Sequence, residues 1–184
     1  EALHDCMASR VQARYADALV VHRLDMATSG LMLLARGTDM QRTLSRAFAE
    51  RRVSKRYVAV VHGAPSQDEG SIELPLMADW PRRPRQKVDV HGGKPSVTHW
   101  RVLQRVGDCT VLQLTPVTGR THQLRVHLAA IGHPILGDGL YGAEAHGNSA
   151  PPRLLLHASE LELAHPNTGT PARFESAAPF LPYG

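Results

Sequence analysis

Leu3, Met7 and Val11 recur at every fourth position, which places them on one face of a helix over residues 1–14. An apolar run at 19–21 gives way to a polar stretch at 22–30, and apolar residues return at 31–35; these blocks predict a loop held between two buried strands. Thr38 stands where an N-cap opens a helix over 38–51, whose stripe of Leu44, Ala47 and Phe48 lies opposite Arg42, Ser45 and Arg46. Residues 56–61 are rich in Val and Tyr and stop at Gly63-Ala64-Pro65, a strand followed by a turn. Alternating or β-branched stretches at 71–76, 96–106 and 110–114 predict further strands. A helix over 121–131 ends at Gly132 with Pro134 beyond, and 153–163 and 171–174 read as closing strands. Because strands come in runs rather than in strict alternation with helices, the pattern predicts a mostly β, α+β domain with helices on the flanks of its sheet. Two segments resist assignment: 79–87, with two prolines, four cations and Trp80, reads as an exposed basic loop, and 137–152 as a loop of small residues.

Composition adds a partner class. With 184 residues, 42% hydrophobic and 21% charged, the chain has apolar material for one core, and residues 1–184 are expected to form one domain. No apolar run approaches the roughly 20 residues of a membrane-spanning helix, and the first residues lack the pattern of a signal peptide, so a soluble, cytoplasmic protein with no membrane partner is expected. Cys6 and Cys109 lie far apart, as free thiols of a reducing compartment do. Lys plus Arg number 21 against 17 Asp plus Glu, a net charge of +4, which favours a polyanionic partner without requiring one.

Candidate chemistry falls in two clusters. Asp25 sits in the polar loop between apolar strands, where a scaffold would hold a carboxylate at the mouth of a cleft; a turn-forming or salt-bridged Asp is the commoner occupant of such a position. Arg23 would pair with it or contact a phosphate. The second cluster is Thr118-Gly119-Arg120-Thr121-His122-Gln123-Leu124-Arg125-Val126-His127. A helix opening near Thr121 would offer a phosphate its first-turn amides, with Arg120 and His122 beside them. Arg125 is equally readable as a solvated helix arginine and His127 as a partly buried polar residue. His122 and His127 are five apart, not the four that stacks two metal ligands on one helical face, and no phosphate loop, dinucleotide fingerprint or nucleophile elbow is present. No metal and no cofactor are expected.

His22-Arg23-Leu24-Asp25 followed by Thr28-Ser29-Gly30-Leu31 resembles the signature of the RluA-type family of RNA pseudouridine synthases. Arg56-Tyr57-Val58-Ala59 after Lys55, the stretch from Gly119 to His127, and Gly132-His133-Pro134-Ile135-Leu136-Gly137-Asp138 are similar to its later motifs, in the same order. Asp79-Trp80-Pro81 with Arg83-Pro84 and Gln86-Lys87-Val88 resembles the A-type branch, and His157-Ala158 and Phe174 fit it as well. The resemblance implies a mostly antiparallel, mixed β-sheet catalytic core and an isomerase that converts uridines to pseudouridine in 23S ribosomal RNA and in transfer RNA anticodon stem-loops. It implies Asp25 as catalytic carboxylate, Arg125 as its ion-pair partner and Tyr57 as a ring stacked on the extruded uracil with its phenol near carbon 5. Arg23 would hold the opened RNA, while Trp80, Arg82, Arg83, Arg85 and Lys87 clamp phosphates with Arg120 and His122; a strand tyrosine in the core and a merely solvated basic loop are the plainer alternatives. The enzyme is expected to act as a monomer. Family members carry a Lys-Pro-x-Gly strand upstream of the first helix, and this chain begins after it, so that strand is expected to be missing. A non-catalytic RNA-binding module and a histidine-based metallohydrolase are the rival classes; neither explains Asp25, Tyr57 and Arg125 together.

Overall fold

The computed structural model describes residues 5–142 and 151–183. Its centre is built where apolar residues run without alternation. Ala59, Val60 and Val61 are all fully buried, so their strand is covered on both faces. That strand is β4 (Ser54–His62), flanked by β9 (Cys109–Pro116) and β10 (Leu156–Ala164). The sheet continues to β8 (Val97–Val106) and β5 (Glu69–Glu73) on one side and to β11 (Pro171–Glu175) on the other. These pairings are antiparallel, and a two-residue strand β2 (Ser29–Gly30) joins β10 in parallel, giving the mixed, mostly antiparallel α+β architecture.

One face packs Ala59, Val61, Leu112, Leu114 and Leu156 against Leu124 and Leu128 of helix α3 (Gln123–Ala130). Nearly the whole of α3 is buried, which is why its sequence shows no apolar stripe. The other face packs Val60, Val111, Leu136 and Leu155 under Phe180 and Tyr183. A third cluster joins helix α2 (Thr38–Ala49) and β3 (Leu34–Arg36), which pairs with β1 (Ala18–Val20), to Leu161 and Leu163 of β10. A short helix α1 (Met7–Arg14) buries no residue fully, and of its expected stripe Met7 is exposed and Val11 half-buried; Leu3 lies outside the described residues.

Several local expectations are corrected. Gly37, at φ +78°, is the N-cap of α2 and Thr38 its first helical residue, because the chain must turn sharply out of β3. The strand expected at 71–76 is divided by Pro75, with β5 before it and β6 (Leu76–Ala78) after it. The basic segment is not an irregular loop: β6 pairs with β7 (Gln86–Val88), and a 3-10 turn at Trp80–Arg82 joins them. Its prolines lie in the connection, outside the paired residues, where a missing N–H costs no ladder hydrogen bond. Helix α3 opens at Gln123, two residues after the expected start. The small-residue loop falls partly at 143–150, outside the described residues.

Candidate active site

The loop bearing Asp25 is fixed at both ends. Upstream, the His22 ring stacks on Phe48 of α2 with centroids 4.4 Å apart, and its Nε2 accepts the Leu33 N–H at 2.8 Å. Accepting that bond requires the neutral ring, and burial pushes the His22 pKa down to about 4, with the Lys55 charge adding to the shift. Downstream, β2 lies so close to β10 that a Cβ on Gly30 would stand 2.2 Å from the Ala158 carbonyl oxygen. Gly30 also has φ +111°, so only glycine fits. Ser29 is tied down by a 2.9 Å hydrogen bond to His157 Nδ1 and by Arg153, which donates to its hydroxyl at 2.6 Å.

Between these anchors the Asp25 side chain is 18% exposed, with Oδ2 3.6 Å from Arg125 Nη1. The two parallel bonds of the Arg125 fork go elsewhere, Nε and Nη2 donating to Asp138 Oδ2 and Oδ1 at 2.8 and 2.7 Å. Asp138 is fully enclosed and also accepts the Leu140 and Tyr141 N–H groups. Burial pushes the Asp138 carboxyl up, but the Arg125 hydrogen bonds and charge outweigh it and hold the pKa below the ordinary value. For Arg125, burial works against the cation and Asp138 and Asp25 more than restore it. Arg125 is therefore not a solvated helix arginine. Asp138 closed the last motif read from the sequence, where it carried no role; its separation of 13 positions from Arg125 hid the pairing.

Tyr57 projects from β4 and lines, with Asp25, a cavity of about 960 Å³. Burial first, then the Asp25 charge, raise its phenol pKa to about 12. The three expected residues thus come together: Tyr57 and Asp25 in one cavity, Arg125 against Asp25.

The expected phosphate contacts are arranged differently from the sequence reading. Arg23 is exposed at the cavity and leaves Asp25 to Arg125. Arg120 turns its guanidinium toward the Pro95 carbonyl at 3.4 Å. The Gln123 side chain accepts the Arg120 N–H and the Thr118 hydroxyl, so the Arg120 amide is taken up within the fold. His122 is left-handed at φ 55°, and its Nδ1 lies 2.7 Å from the Tyr141 hydroxyl; burial lowers its pKa against the pull of Asp25. His127 is wholly buried between Thr98 and the Leu74 carbonyl. In the β6–β7 hairpin, Arg82 pairs with the buried Asp79 at 2.7 Å and Lys87 with Asp89 at 3.3 Å. Arg83 stacks on the exposed Trp80, 3.6 Å from the ring centroid, and Arg85 lies 5.5 Å from that of Tyr141.

Tyr141, which carried no sequence signal beyond a loop of small residues, joins hairpin to centre. Its hydroxyl accepts the Gln86 N–H at 2.8 Å, and its ring lies 5.1 Å from the Arg125 guanidinium. Among the described residues, no three His, Cys, Asp or Glu side chains converge to hold a metal ion, and no helix is long and apolar enough to cross a membrane.

Residues 5–130 match the family described as RNA pseudouridylate synthase. Over 177 residues the chain is 49% identical to the dual-specificity RNA pseudouridine synthase RluA of Yersinia pestis, covering 96% of this chain and 85% of that protein. The protein of the same name from Escherichia coli strain K12 is 48% identical over 177 residues, covering 96% and 80%. The solved structure of human RNA Pseudouridylate Synthase Domain Containing 1 superimposes with a TM-score of 0.81 at 33% identity, covering 95% of this chain and 74% of that one.

Proposed function

Because the chain belongs to the RNA pseudouridylate synthase family, we propose that Asp25 is the carboxylate with which it isomerises uridines in 23S ribosomal RNA and in transfer RNA anticodon stem-loops. The observation that carries this reading is the row Asp138, Arg125, Asp25, in which a buried guanidinium is gripped by one carboxylate and turns its remaining nitrogen to the other.

Uridine and pseudouridine are isomers. The bond from uracil nitrogen 1 to the ribose breaks, the base turns, carbon 5 takes the ribose, and the hydrogen on carbon 5 is replaced by one on nitrogen 1. Nothing is oxidised or hydrolysed. Asp25 acts on ribose or base, as nucleophile or proton acceptor, and Arg125 beside it orients the carboxylate for either role. Tyr57 is a neutral phenol at physiological pH, since its pKa stands at about 12. It therefore enters as a stacking ring and proton donor or relay, not as a standing base.

The target base must leave its stack, at a cost of a few kcal/mol. The exposed Arg23 holds the opened RNA, and the hairpin with Trp80, Arg82, Arg83, Arg85 and Lys87, together with Arg120 and His122, follows the backbone. All these groups come from one chain, which supports action as a monomer, and ribosomal and transfer RNA as substrates imply a cytoplasmic enzyme.

Asp25→Asn tests the reading. It is expected to abolish pseudouridine formation in stem-loop and 23S transcripts, mapped by carbodiimide modification, while binding both RNAs about as tightly as the native protein. Turnover by that variant overturns the role of Asp25. A non-catalytic module would instead show wild-type binding without product.

A further inference from the structure

The cavity holds a cation that the proposed reaction has not yet employed. Lys55 lies on β4 two residues before Tyr57, so strand alternation puts both side chains on one face, and both line the cavity with Asp25. The Lys55 side chain is half-buried, and burial alone pulls its pKa down, with no carboxylate pulling it back. The acidic groups around the same cavity are placed otherwise: Asp25 faces Arg125, and Glu162 is an exposed residue of β10. The Lys55 ammonium sits over Gly119, where an added Cβ would lie 3.6 Å from Nζ, and close enough to His22 for its charge to depress that ring's pKa. Toward the rim stand Arg51, at φ +58° just beyond α2, and Arg52, paired with Glu50 at 2.8 Å.

A cation drawn partly out of water with no carboxylate beside it among the described residues is unfavourable on its own, and such sites are completed by an arriving anion. Extruding a uridine carries the phosphates on either side of it to the cavity mouth, because the backbone turns with the base. An ammonium is a compact charge suited to a phosphate oxygen. The β6–β7 hairpin does not supply this contact, since it reaches the centre through Tyr141.

We propose that Lys55 Nζ binds a phosphodiester oxygen directly flanking the extruded uridine, with Arg51 at the rim meeting the next phosphate along the strand. The proposal rests on the pseudouridine synthase reading. Lys55→Met keeps most of the aliphatic stem and removes the charge. Against a native stem-loop RNA it should lose about tenfold to hundredfold in affinity or kcat/KM, and Lys55→Arg should recover most of that loss. A purely structural lysine would lower the melting temperature when replaced; here Lys55→Met should melt at or above the native protein, because an unpaired, partly desolvated charge has gone.

The decisive arm uses stem-loops in which each phosphate next to the target is replaced in turn by a neutral methylphosphonate. One such replacement should cost the native protein about what Lys55→Met costs, and should cost Lys55→Met nothing further. Equal sensitivity of both proteins to every replacement, or native-like binding and turnover by Lys55→Met, overturns the proposal. Binding and product are scored separately. If the native protein yields no pseudouridine, the enzymatic reading fails, while the binding arm still decides whether Lys55 meets a phosphate.

Discussion

Arg125 is gripped by one carboxylate and faces another. The grip lies in Asp138, whose two oxygens meet Nε and Nη2 and which is itself fixed by two backbone N–H groups. Asp138→Asn keeps the shape and removes the charge, leaving a buried guanidinium without its partner. Breaking a buried pair from one side costs about 3–5 kcal/mol, so denaturant unfolding should show a loss of that order. Product formation should fall further than RNA affinity, since Arg125 would no longer be aimed at Asp25. Arg125→Lys should not substitute, because an ammonium cannot make the two parallel bonds that Asp138 accepts. The positions of Asp25, Tyr57 and Arg125 were legible in the sequence because the motifs they stand in resemble ones that give those residues a role, whereas the motif that Asp138 closes gave it none. The parts played by Asp138 and Tyr141 were not legible, since an ion pair across 13 positions, or a ring between two arginines, is chosen by the tertiary fold.

At the scale of elements, the hairpin's cations divide by what already holds them. Arg82 and Lys87 face carboxylates of the protein, whereas Arg83 and Arg85 lie on aromatic rings that leave guanidinium edges to donate. Neutralising Arg83 and Arg85 together should therefore flatten the salt dependence of RNA binding more than neutralising Arg82 and Lys87. The slope should drop by about 0.7 to 0.9 for each phosphate that the protein no longer neutralises. Equal slopes in the two double variants would show that the ring-stacked arginines are not the clamp. The close approach of β2 to β10 yields a second expectation. Gly30→Ala must push the Asp25 loop off the Ala158 carbonyl, so activity should collapse and the melting temperature fall, while RNA affinity contributed by the hairpin should persist. Most elements could be read from periodicity, because the central strands are continuously apolar. The hairpin was hidden by its prolines, the start of α2 by a glycine taking the capping position beside a threonine, and the extent of α3 by its burial on nearly every side.

For the molecule as a whole, acid sensitivity should trace to histidines whose pKa burial lowers, His122, His127 and His157 among them, and above all to His22. His22 joins the Asp25 loop to α2 and to Leu33 only while its ring is neutral, and its folded-state pKa is depressed to about 4 from 6.5. Above pH 6.5 the ring is neutral whether the chain is folded or not, and stability does not depend on it. Between about 6.5 and about 4 the unfolded chain takes up a proton that the folded chain refuses, so stability falls as pH falls; below about 4 both states are protonated and the loss is complete. The full shift corresponds to about 3 kcal/mol, and the partial exposure of the ring makes the observed loss smaller. Asp138 acts lower on the scale: its pKa is depressed in the fold, so its contribution is complete above the ordinary carboxylate value of 3.8 and disappears as pH drops through the folded-state value. Denaturant titrations from pH 7 to pH 4 should thus show a decline that begins near 6.5, above the range in which carboxylates titrate. His22→Phe keeps the stacking on Phe48 but leaves the Leu33 N–H unpaired, so the variant should be less stable than the native protein at pH 7 and yet show a flatter slope down to pH 4. A slope as steep as the native one would place the acid response in some other group.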